Sequence, residues 1–359
     1  MTAPSSIDAE GIGDYLRGRD VVPADATVRA APLGGGVSNT VLRVTVDGDC
    51  LVVKQPLANL AVEDDWPADV GRVHNEAAAA RAYRDVIDRA SIPDVRVPAV
   101  RFEDETDHVV GFECAPEGAR TWKQHLLEGA VDARIARTLG RFLGASHRTA
   151  AGDERLRERF ATEAPFRQLR LDPYHRTVAR RHPEVAPAIE REIERIEGVA
   201  RTLVHGDFSP KNVLVAEAEG RRGDEGITAD GAGTTGCWLL DFEVAHWGDP
   251  AFDAAFMLNH LLLKSVHNAG DEAARTACVD AAREFWTAYV EAVPWTLEPA
   301  TVRELAVLML ARIDGKSPVE YLTDPATKEW VRSVATTALE RDVTGLEEYV
   351  ALLEERGPA

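Results

Sequence analysis

The chain has 359 residues, 45% of them hydrophobic and 28% charged, which is the composition of a globular protein long enough to form two lobes with a core each. A formal net charge of −19 argues against non-specific binding to nucleic acids or to anionic membranes. The N-terminal stretch is polar and no apolar run is as long as a bilayer is thick, so we expect no signal peptide, no membrane span and a cytoplasmic location.

The acidic excess and the scarcity of lysine favour a halophilic host, although an ordinary acidic protein from a GC-rich genome would share both features. The four cysteines are far apart and show neither a CxxC motif nor the spacing of metal ligands. We therefore expect free thiols rather than disulfides or a zinc site. These residues are Cys50, Cys114, Cys237 and Cys278.

The first hundred residues are predicted to form a small antiparallel sheet, with strands at Thr27 to Leu33, Thr40 to Val46 and Cys50 to Lys54. Between the first two strands lies the run Gly34-Gly35-Gly36-Val37-Ser38-Asn39. A glycine-rich turn lets backbone N–H groups approach phosphate oxygens closely, which makes Gly35 and Gly36 candidate phosphate-binding residues. Many hairpins carry glycine for other reasons, so this run alone is weak evidence.

Lys54 ends an otherwise apolar strand, where its charge needs a partner. The candidate is Glu76, near the start of the Ala-rich and strongly helical segment Asn75 to Ala90. We expect an ion pair between these side chains that presents the lysine ammonium to nucleotide phosphates. The alternative for Glu76 is a solvated carboxylate favoured by the helix dipole.

The sheet is predicted to end with a hairpin of Val97 to Phe102 and Val109 to Cys114. We place the lobe boundary directly after it, between an N-terminal nucleotide-binding lobe of residues 1–115 and a mainly helical catalytic and acceptor-binding lobe of residues 116–359. Within the second lobe, the proline-interrupted helical stretch Asp153 to Arg201 is rich in arginine and glutamate, and we expect its charges to form a solvated face.

Two motifs carry the chemistry of the chain. They are Val204-His205-Gly206-Asp207-Phe208-Ser209-Pro210-Lys211-Asn212 and Leu239-Leu240-Asp241-Phe242-Glu243. Apolar residues flank both, which predicts that they lie at adjacent ends of a hairpin. The connecting residues 216–236 have no apolar period and are expected to be disordered. Strand alternation would point Asp241 and Glu243 the same way and Phe242 into the core.

This combination is typical of a phosphoryl-transfer centre. We expect Asp207 to orient or deprotonate an attacking hydroxyl, and His205 to position the loop rather than act as a base. Asn212, Asp241 and Glu243 are expected to hold Mg²⁺, which prefers hard oxygen ligands. Either motif alone would usually be a turn or a capped helix, but their joint order and spacing favour catalysis.

Two later segments bear on this centre. Asp249 is predicted to cap the apolar helix that begins at Pro250, and Asp253 places on that helix an acid that should find buried donors. Gly315-Lys316-Ser317 has the ending of a phosphate-binding P-loop. Leu310 stands where that motif needs glycine and a helix precedes it, so we reject this interpretation.

His205-Gly206-Asp207 with Asn212, followed by Asp241-Phe242-Glu243, resembles the aminoglycoside phosphotransferase and choline kinase superfamily. The resemblance covers most of the chain and implies an α+β fold similar to that of protein kinases, with ATP as the phosphoryl donor. It also implies that Glu113 and Ala115 lie at a hinge that binds adenine, and that Asp253 braces the catalytic loop.

The N-terminal lobe looks most like that of the 5-methylthioribose kinases, through Asn39-Thr40-Val41-Leu42-Arg43-Val44, Val53-Lys54-Gln55 and Trp66-Pro67. This likeness implies that Asn39 and Lys54 contact ATP.

Arg312 is a candidate acceptor-binding residue, because Arg312-Ile313 with Gly315 resembles a helix end in 5-methylthioribose kinases whose arginine contacts the sugar. A surface arginine in an arginine-rich chain is the alternative. The chain departs from these kinases at Asn212, where they have serine and where aminoglycoside and choline kinases have asparagine. This departure leaves the metal set and the acceptor open.

These features favour an ATP-dependent small-molecule kinase that transfers the γ-phosphate to a hydroxyl of a sugar-like acceptor, with a methylthioribose-like pentose as the leading candidate. A kinase of choline, another amino alcohol or an aminoglycoside is the nearest alternative, and an acidic pocket would be expected for it. A nucleotide-binding regulator without turnover is the alternative from another class. The expected partner is a small molecule, and the oligomeric state is left open.

Overall fold

The fold is described here from a computed structural model, which covers residues 6–34, 37–61, 66–216 and 236–355. Gly35 and Gly36 lie outside these residues, as does most of the predicted loop at 216–236. The described chain has an antiparallel sheet in its first third and is mainly helical afterwards, as the sequence predicts. No helix in these ranges is long and apolar enough to cross a membrane.

The N-terminal lobe is a five-stranded antiparallel sheet with strand order β1-β2-β3-β6-β5. Helix α1 (Ile12–Gly18) and a second, longer helix, α2 (Arg72–Ala90), pack against this lobe. Helix α2 begins three residues before the predicted start, so Glu76 lies in its second turn. The strands of this sheet are β1 (Val28–Pro32), β2 (Asn39–Val46), β3 (Asp49–Pro56), β5 (Val100–Asp104) and β6 (Val109–Glu113).

Two small sheets lie between this lobe and the helices. One has the order β4-β10-β9-β7, and the other pairs β8 with β11. Leu239 pairs with Val213 in the antiparallel hairpin, so the second acidic motif leaves β10 beside the point where the first enters β9. The strands are β4 (Val95–Arg96), β7 (Arg120–Thr121), β8 (Thr202–Val204), β9 (Val213–Ala216), β10 (Gly236–Leu239) and β11 (His246–Gly248).

The helical lobe is built around α9 (Pro250–His267), which is buried from Pro250 to Val266. Asp249 caps this helix by accepting from the Ala251 N–H, as predicted. The other helices are α3 (Trp122–Leu127), α4 (Ala133–Ala150), α5 (Glu154–Arg159), α6 (Ala164–Phe166), α7 (Thr177–Arg181), α8 (Ala186–Gly198), α10 (Glu272–Ala292), α11 (Glu298–Asp314), α12 (Pro325–Glu340) and α13 (Leu346–Glu355).

A π-helix, Arg167–Arg176, interrupts the predicted charged stretch. Pro173 lies inside it, and a proline cannot donate the i to i−4 hydrogen bond of an α-helix, which favours the wider winding there. The prediction of a solvated charged face is wrong for Arg170, which is buried, whereas Arg167 and Asp172 of the same helix are exposed.

The prediction that all four cysteines are free is also wrong. Cys50 of β3 and Cys114, directly after β6, form a disulfide with Cα atoms 5.7 Å apart, while Cys237 and Cys278 are buried thiols. The pairing arises because β3 and β6 are adjacent antiparallel strands, with Leu51 opposite Glu113. Spacing along the chain carries no sign of this register. Disulfides are uncommon in reducing cytoplasm, so the expected location stays a prediction.

We expect reduction of this disulfide to lower the free energy of unfolding by about 4 kcal/mol, because the bond closes a loop with a sequence separation of 64 residues. Urea unfolding with and without a reductant measures the difference. The double variant Cys50→Ala/Cys114→Ala should be insensitive to reductant. Four titratable thiols in the unreduced, unfolded protein would contradict the pairing.

Candidate active site

The loop that follows β8 is shaped by a single buried carboxylate. Asp253 of α9 is fully buried, and its two oxygens accept the backbone N–H groups of His205 at 2.7 Å and Gly206 at 2.8 Å. Gly206 has φ +75°, and a Cβ there would lie 2.7 Å from the carbonyl oxygen of Val244. The middle residue of the His-Gly-Asp motif must therefore be glycine for steric reasons, because a larger side chain would collide with Val244.

His205 positions this loop, in agreement with the sequence-based interpretation. Its Nε2–H donates to the Leu240 carbonyl at 3.1 Å, and its Nδ1 accepts the N–H of Asp207 at 3.2 Å. Burial lowers the pKa of His205, although Asp253 and Asp207 oppose the shift. A neutral ring with both nitrogens engaged is a spacer between the two motifs rather than a base.

Asp207 is buried and is held on one side only. Its Oδ2 accepts a hydrogen bond from Asn212 Nδ2 at 2.8 Å and forms ion pairs with Arg170 Nη2 at 2.8 Å and Lys211 Nζ at 2.9 Å. Its Oδ1 is buried and has no hydrogen-bond partner among the residues that the structure describes. Burial raises the pKa of Asp207, but Arg170 and Lys211 outweigh it and hold that pKa below its usual value. The carboxylate is thus charged, fixed in orientation, and left with one open acceptor.

Sequence reasoning missed Arg170 and Lys211. Lys211 stands four residues after Asp207 within the first motif, so its proximity could have been found there. Arg170 gives no such signal, because the π-helix turns it inward, where its Nε also donates to the Gly206 carbonyl at 3.0 Å. Both cations orient the carboxylate, and Lys211 remains half exposed.

The predicted pair of Lys54 and Glu76 is present and includes a third member. Lys54 Nζ donates to Glu76 Oε1 at 2.6 Å and to Asp241 Oδ1 at 3.3 Å. These carboxylates raise the pKa of Lys54 against the effect of burial. The pKa of Asp241 is lowered, because Lys54 and Lys211 outweigh burial. Lys54 is therefore a charged ammonium that joins β3, α2 and the second motif.

Asp241 and Glu243 do not share a strand, so the predicted alternation is wrong. Strand β10 ends at Leu239, and Asp241 takes a left-handed conformation with φ +70°. Glu243 is buried, and its Oε2 accepts Arg72 Nε at 3.1 Å and Asn39 Nδ2 at 3.1 Å. These two donors hold one of its two carboxylate oxygens.

The predicted magnesium set is consequently brought together only in part. The Leu240 N–H donates to the Asn212 carbonyl at 2.9 Å. Leu240 directly precedes Asp241, so this bond places the Asn212 backbone beside the second motif. Within residues 6–34, 37–61, 66–216 and 236–355, no group of three or more His, Cys, Asp or Glu side chains is arranged to hold a metal ion. Asn212 and Asp241 stay candidate ligands, and the structure gives Glu243 a different contact.

An apolar cavity of about 170 Å³ lies between the sheet and the hairpin and ends at Lys54, Glu76 and Asp241. Glu113 and Ala115, which lie at the predicted boundary between the lobes, also line this cavity. The resemblance implied that these residues would be near adenine. The cavity lining is apolar apart from Lys54, Glu76, Glu113 and Asp241, which suits a flat ring that carries a charged group. The remaining lining residues are Leu33, Val41, Val52, Ala80, Pro98, Phe112, Leu214, Leu240 and Phe242.

Arg312 is not a surface arginine. It is 9% exposed, its Nη1 donates to Tyr174 Oη at 3.0 Å and Ser317 Oγ at 3.2 Å, and its Nε is buried without a partner. The same tyrosine ring lies 5.7 Å from the Arg170 guanidinium. The predicted acceptor residue is therefore one side chain away from the Asp207 cluster.

A family model described as the phosphotransferase enzyme family matches residues 29–292. Among solved structures, an amicoumacin kinase in complex with AMP-PNP, Ca²⁺ and Ami is similar over 95% of this chain and 96% of its own, with 13% identity and a TM-score of 0.57. An ethanolamine kinase from Plasmodium vivax is similar over 95% and 89%, with 11% identity and a TM-score of 0.52. At such identities the likeness shows the fold, and confirms the predicted kinase-like architecture. No curated protein sequence matches the chain.

We expect Asp253→Asn to lower the free energy of unfolding by about 3 kcal/mol, because an amide would point N–H at one of the backbone N–H groups that Asp253 accepts. Urea unfolding at 25 °C measures the change. Asp14→Asn is the matched control, since the Asp14 side chain is 93% exposed. Equal changes in the two variants would show that the carboxylate does not brace the loop.

Proposed function

Because the chain belongs to the phosphotransferase enzyme family, we propose that it transfers the γ-phosphoryl group of ATP to a hydroxyl of a small, sugar-like acceptor. The observation that carries this proposal is the Asp207 carboxylate, with Oδ2 fixed by three donors and Oδ1 buried without a partner. A buried acceptor oxygen without a donor is destabilising, and a substrate hydroxyl would satisfy it.

Asp207 aims the hydroxyl rather than removing its proton early. Its lowered pKa makes it a weak base, so the proton passes to Oδ1 only as the new oxygen–phosphorus bond forms. Phosphoryl transfer has a loose transition state, in which positioning and charge stabilisation supply most of the catalysis. Arg170, Lys211 and Asn212 provide that positioning by holding one carboxylate oxygen in place.

The nucleotide occupies the apolar cavity, with adenine against the side of Glu113 and Ala115 and the phosphates toward Lys54. Residues 1–115 form the nucleotide-binding lobe in this proposal, and residues 116–359 carry the catalytic and acceptor residues. The nucleotide analogue in the amicoumacin kinase structure supports such a site by analogy of fold.

Asn212 and Asp241 fit a divalent metal such as Mg²⁺, because both offer hard oxygen ligands: Asp241 lines the cavity, and Asn212 is hydrogen-bonded to the lining residue Leu240. The bound metal would neutralise charge on the phosphate oxygens. Glu243 has another task, since Arg72 Nη2 also donates to the carbonyl oxygens of Ser38 and Leu57. Glu243 thus orients an arginine that joins Ser38, which precedes β2, to Leu57, which follows β3.

Cationic side chains around Asp207 favour a sugar-like acceptor over a cationic one. Arg170 and Lys211 contact the carboxylate itself, and Arg312 contacts the tyrosine that adjoins Arg170. An aminoglycoside or choline would bring positive charge toward these groups, which is unfavourable where they are partly desolvated. A methylthioribose-like pentose meets no such repulsion.

We expect phosphate transfer from labelled ATP, in the presence of Mg²⁺, to at least one sugar in a panel of methylthioribose, other pentoses, nucleosides, choline and an aminoglycoside. Asp207→Asn should lower kcat by about a thousandfold or more and leave ATP affinity unchanged, because it removes an interaction made with the hydroxyl. Asp14→Asn is the control. ATP binding without transfer to any compound would favour a nucleotide-binding regulator instead.

Lys54→Met should weaken ADP and ATP binding at least tenfold, because it removes the ammonium at the phosphate end of the cavity. Titration calorimetry measures both affinities, and circular dichroism checks that the variant is folded. Lys328→Met, which removes a lysine of α12, should bind as the wild type does. Unchanged ATP affinity in Lys54→Met would contradict the placement of the phosphates.

A further inference from the structure

A second group of basic side chains lies beyond Tyr174, and the proposed function uses only one of them, Arg312. We define the cationic subsite as Arg312 of α11, Lys264 and His260 of α9, Lys123 of α3, and the two tyrosines Tyr174 and Tyr321. Lys264 Nζ donates to Tyr321 Oη at 3.0 Å and lies 3.4 Å from His260 Nδ1. Lys123 Nζ lies 6.0 Å from the centre of the same Tyr321 ring.

Two of these cations have no counterion. Lys264 is 1% exposed and Arg312 is 9% exposed, yet among the described residues neither has a carboxylate oxygen within 4.0 Å. Glu320 is the nearby acid, but it pairs with Lys123 and its side chain is 65% exposed. A buried cation without an anion is unfavourable by several kcal/mol, and buried lysines are usually paired.

The pKa shifts of Lys264 and His260 agree with an excess of positive charge at the subsite. Burial, followed by the charges of Lys123 and Arg312, holds the pKa of Lys264 well below its usual value. The pKa of His260 is lowered by burial and then by Lys264, Arg312, Lys211 and Lys123. Four basic side chains therefore act on one imidazole, and an anion placed among them would be attracted by the charged ones and would favour the protonated form of Lys264.

The subsite adjoins the reacting centre and is open to solvent. Tyr174 lies between Arg170, at 5.7 Å from its ring, and Arg312, at 5.6 Å. Tyr321 and Lys123 are only partly buried, so solvent reaches the subsite from their side, whereas Lys264 and Arg312 are buried. The contacts that run from Asp207 through Arg170 and Tyr174 to Arg312 link the subsite to the reacting centre.

We propose that the acceptor is an anionic sugar, bearing a carboxylate or a phosphate that binds in the cationic subsite between Arg312, Lys264 and Lys123. This inference rests on the proposed function and specifies its substrate class. A guanidinium and an ammonium are the groups that bind carboxylate and phosphate most strongly, through charge-assisted hydrogen bonds. The tyrosine hydroxyls add neutral donors on either side.

Titration calorimetry with ADP present tests the proposal on matched probes: ribose with ribose 5-phosphate, and glucose with glucuronate and glucose 6-phosphate. We expect at least one anionic sugar to bind ten times more tightly than its neutral counterpart. A preference for glucuronate indicates a sugar acid, and a preference for the phosphates indicates a sugar phosphate. Anionic probes that bind no more tightly than neutral ones would overturn the proposal.

Variants assign the preference to the subsite. Lys264→Met and Arg312→Gln should each reduce the anionic preference to less than threefold, whereas Lys328→Met, which removes a charge elsewhere, should retain it. Lys123→Met, at a partly exposed position, provides a variant that tests the subsite without disturbing the core. A preference that survives in all three subsite variants would place the anion elsewhere and contradict the proposal.

Phosphate transfer separates this inference from the proposed function. Transfer to neutral sugars, with no preference for anionic ones, would support the proposed kinase activity and contradict the proposal of an anionic acceptor. An anionic preference in binding, without transfer to any probe while ATP binds, would support the subsite and count against the proposed reaction.

Discussion

The structure depends on the pairing of buried negative charge with cations from distant parts of the chain. Three acidic side chains of the two motifs each have a cation from a different element: Asp207 with Arg170, Asp241 with Lys54, and Glu243 with Arg72. A buried carboxylate is tolerated only when it is paired and hydrogen-bonded, so these pairs fix where the π-helix, β3 and α2 must lie. The two lobes meet at this set of charges.

The same pairing decides which groups are free to bind a substrate. Glu243 and Arg72 neutralise each other out of solvent, whereas Asp207 keeps one oxygen without a partner and Lys211 is half exposed. In the proposed function, nucleotide phosphates would add negative charge to this cleft, and a divalent cation would offset it. The cationic subsite differs, because its charges do not cancel within the protein.

Much of the fold and site could be predicted, because the two motifs carry local, directional signals. The contact of Lys54 with Glu76 and the need of Asp253 for buried donors follow from single charges on apolar elements, and the resemblance to known kinases implied that those donors belong to the catalytic loop. The contacts of Arg72 and Arg170 could not be predicted, since arginines abound in the chain and only tertiary structure selects these two. The predictions for the residues after β10 and for the cysteines were wrong for related reasons. The left-handed backbone at Asp241 ends the strand alternation, and the spacing of cysteines along the chain does not reveal which strands pair or in which register.

The disulfide between β3 and the lobe boundary makes maturation of the chain a chemical as well as a conformational process. A newly made chain carries four thiols and reaches the described state only after an oxidant has accepted two electrons and the two sulfurs have joined. The bond holds the strand that bears Lys54 against the strand that leads to Ala115. Two preparations of this sequence with different oxidation histories therefore differ in a covalent bond beside the apolar cavity, next to the lining residues Glu113 and Ala115.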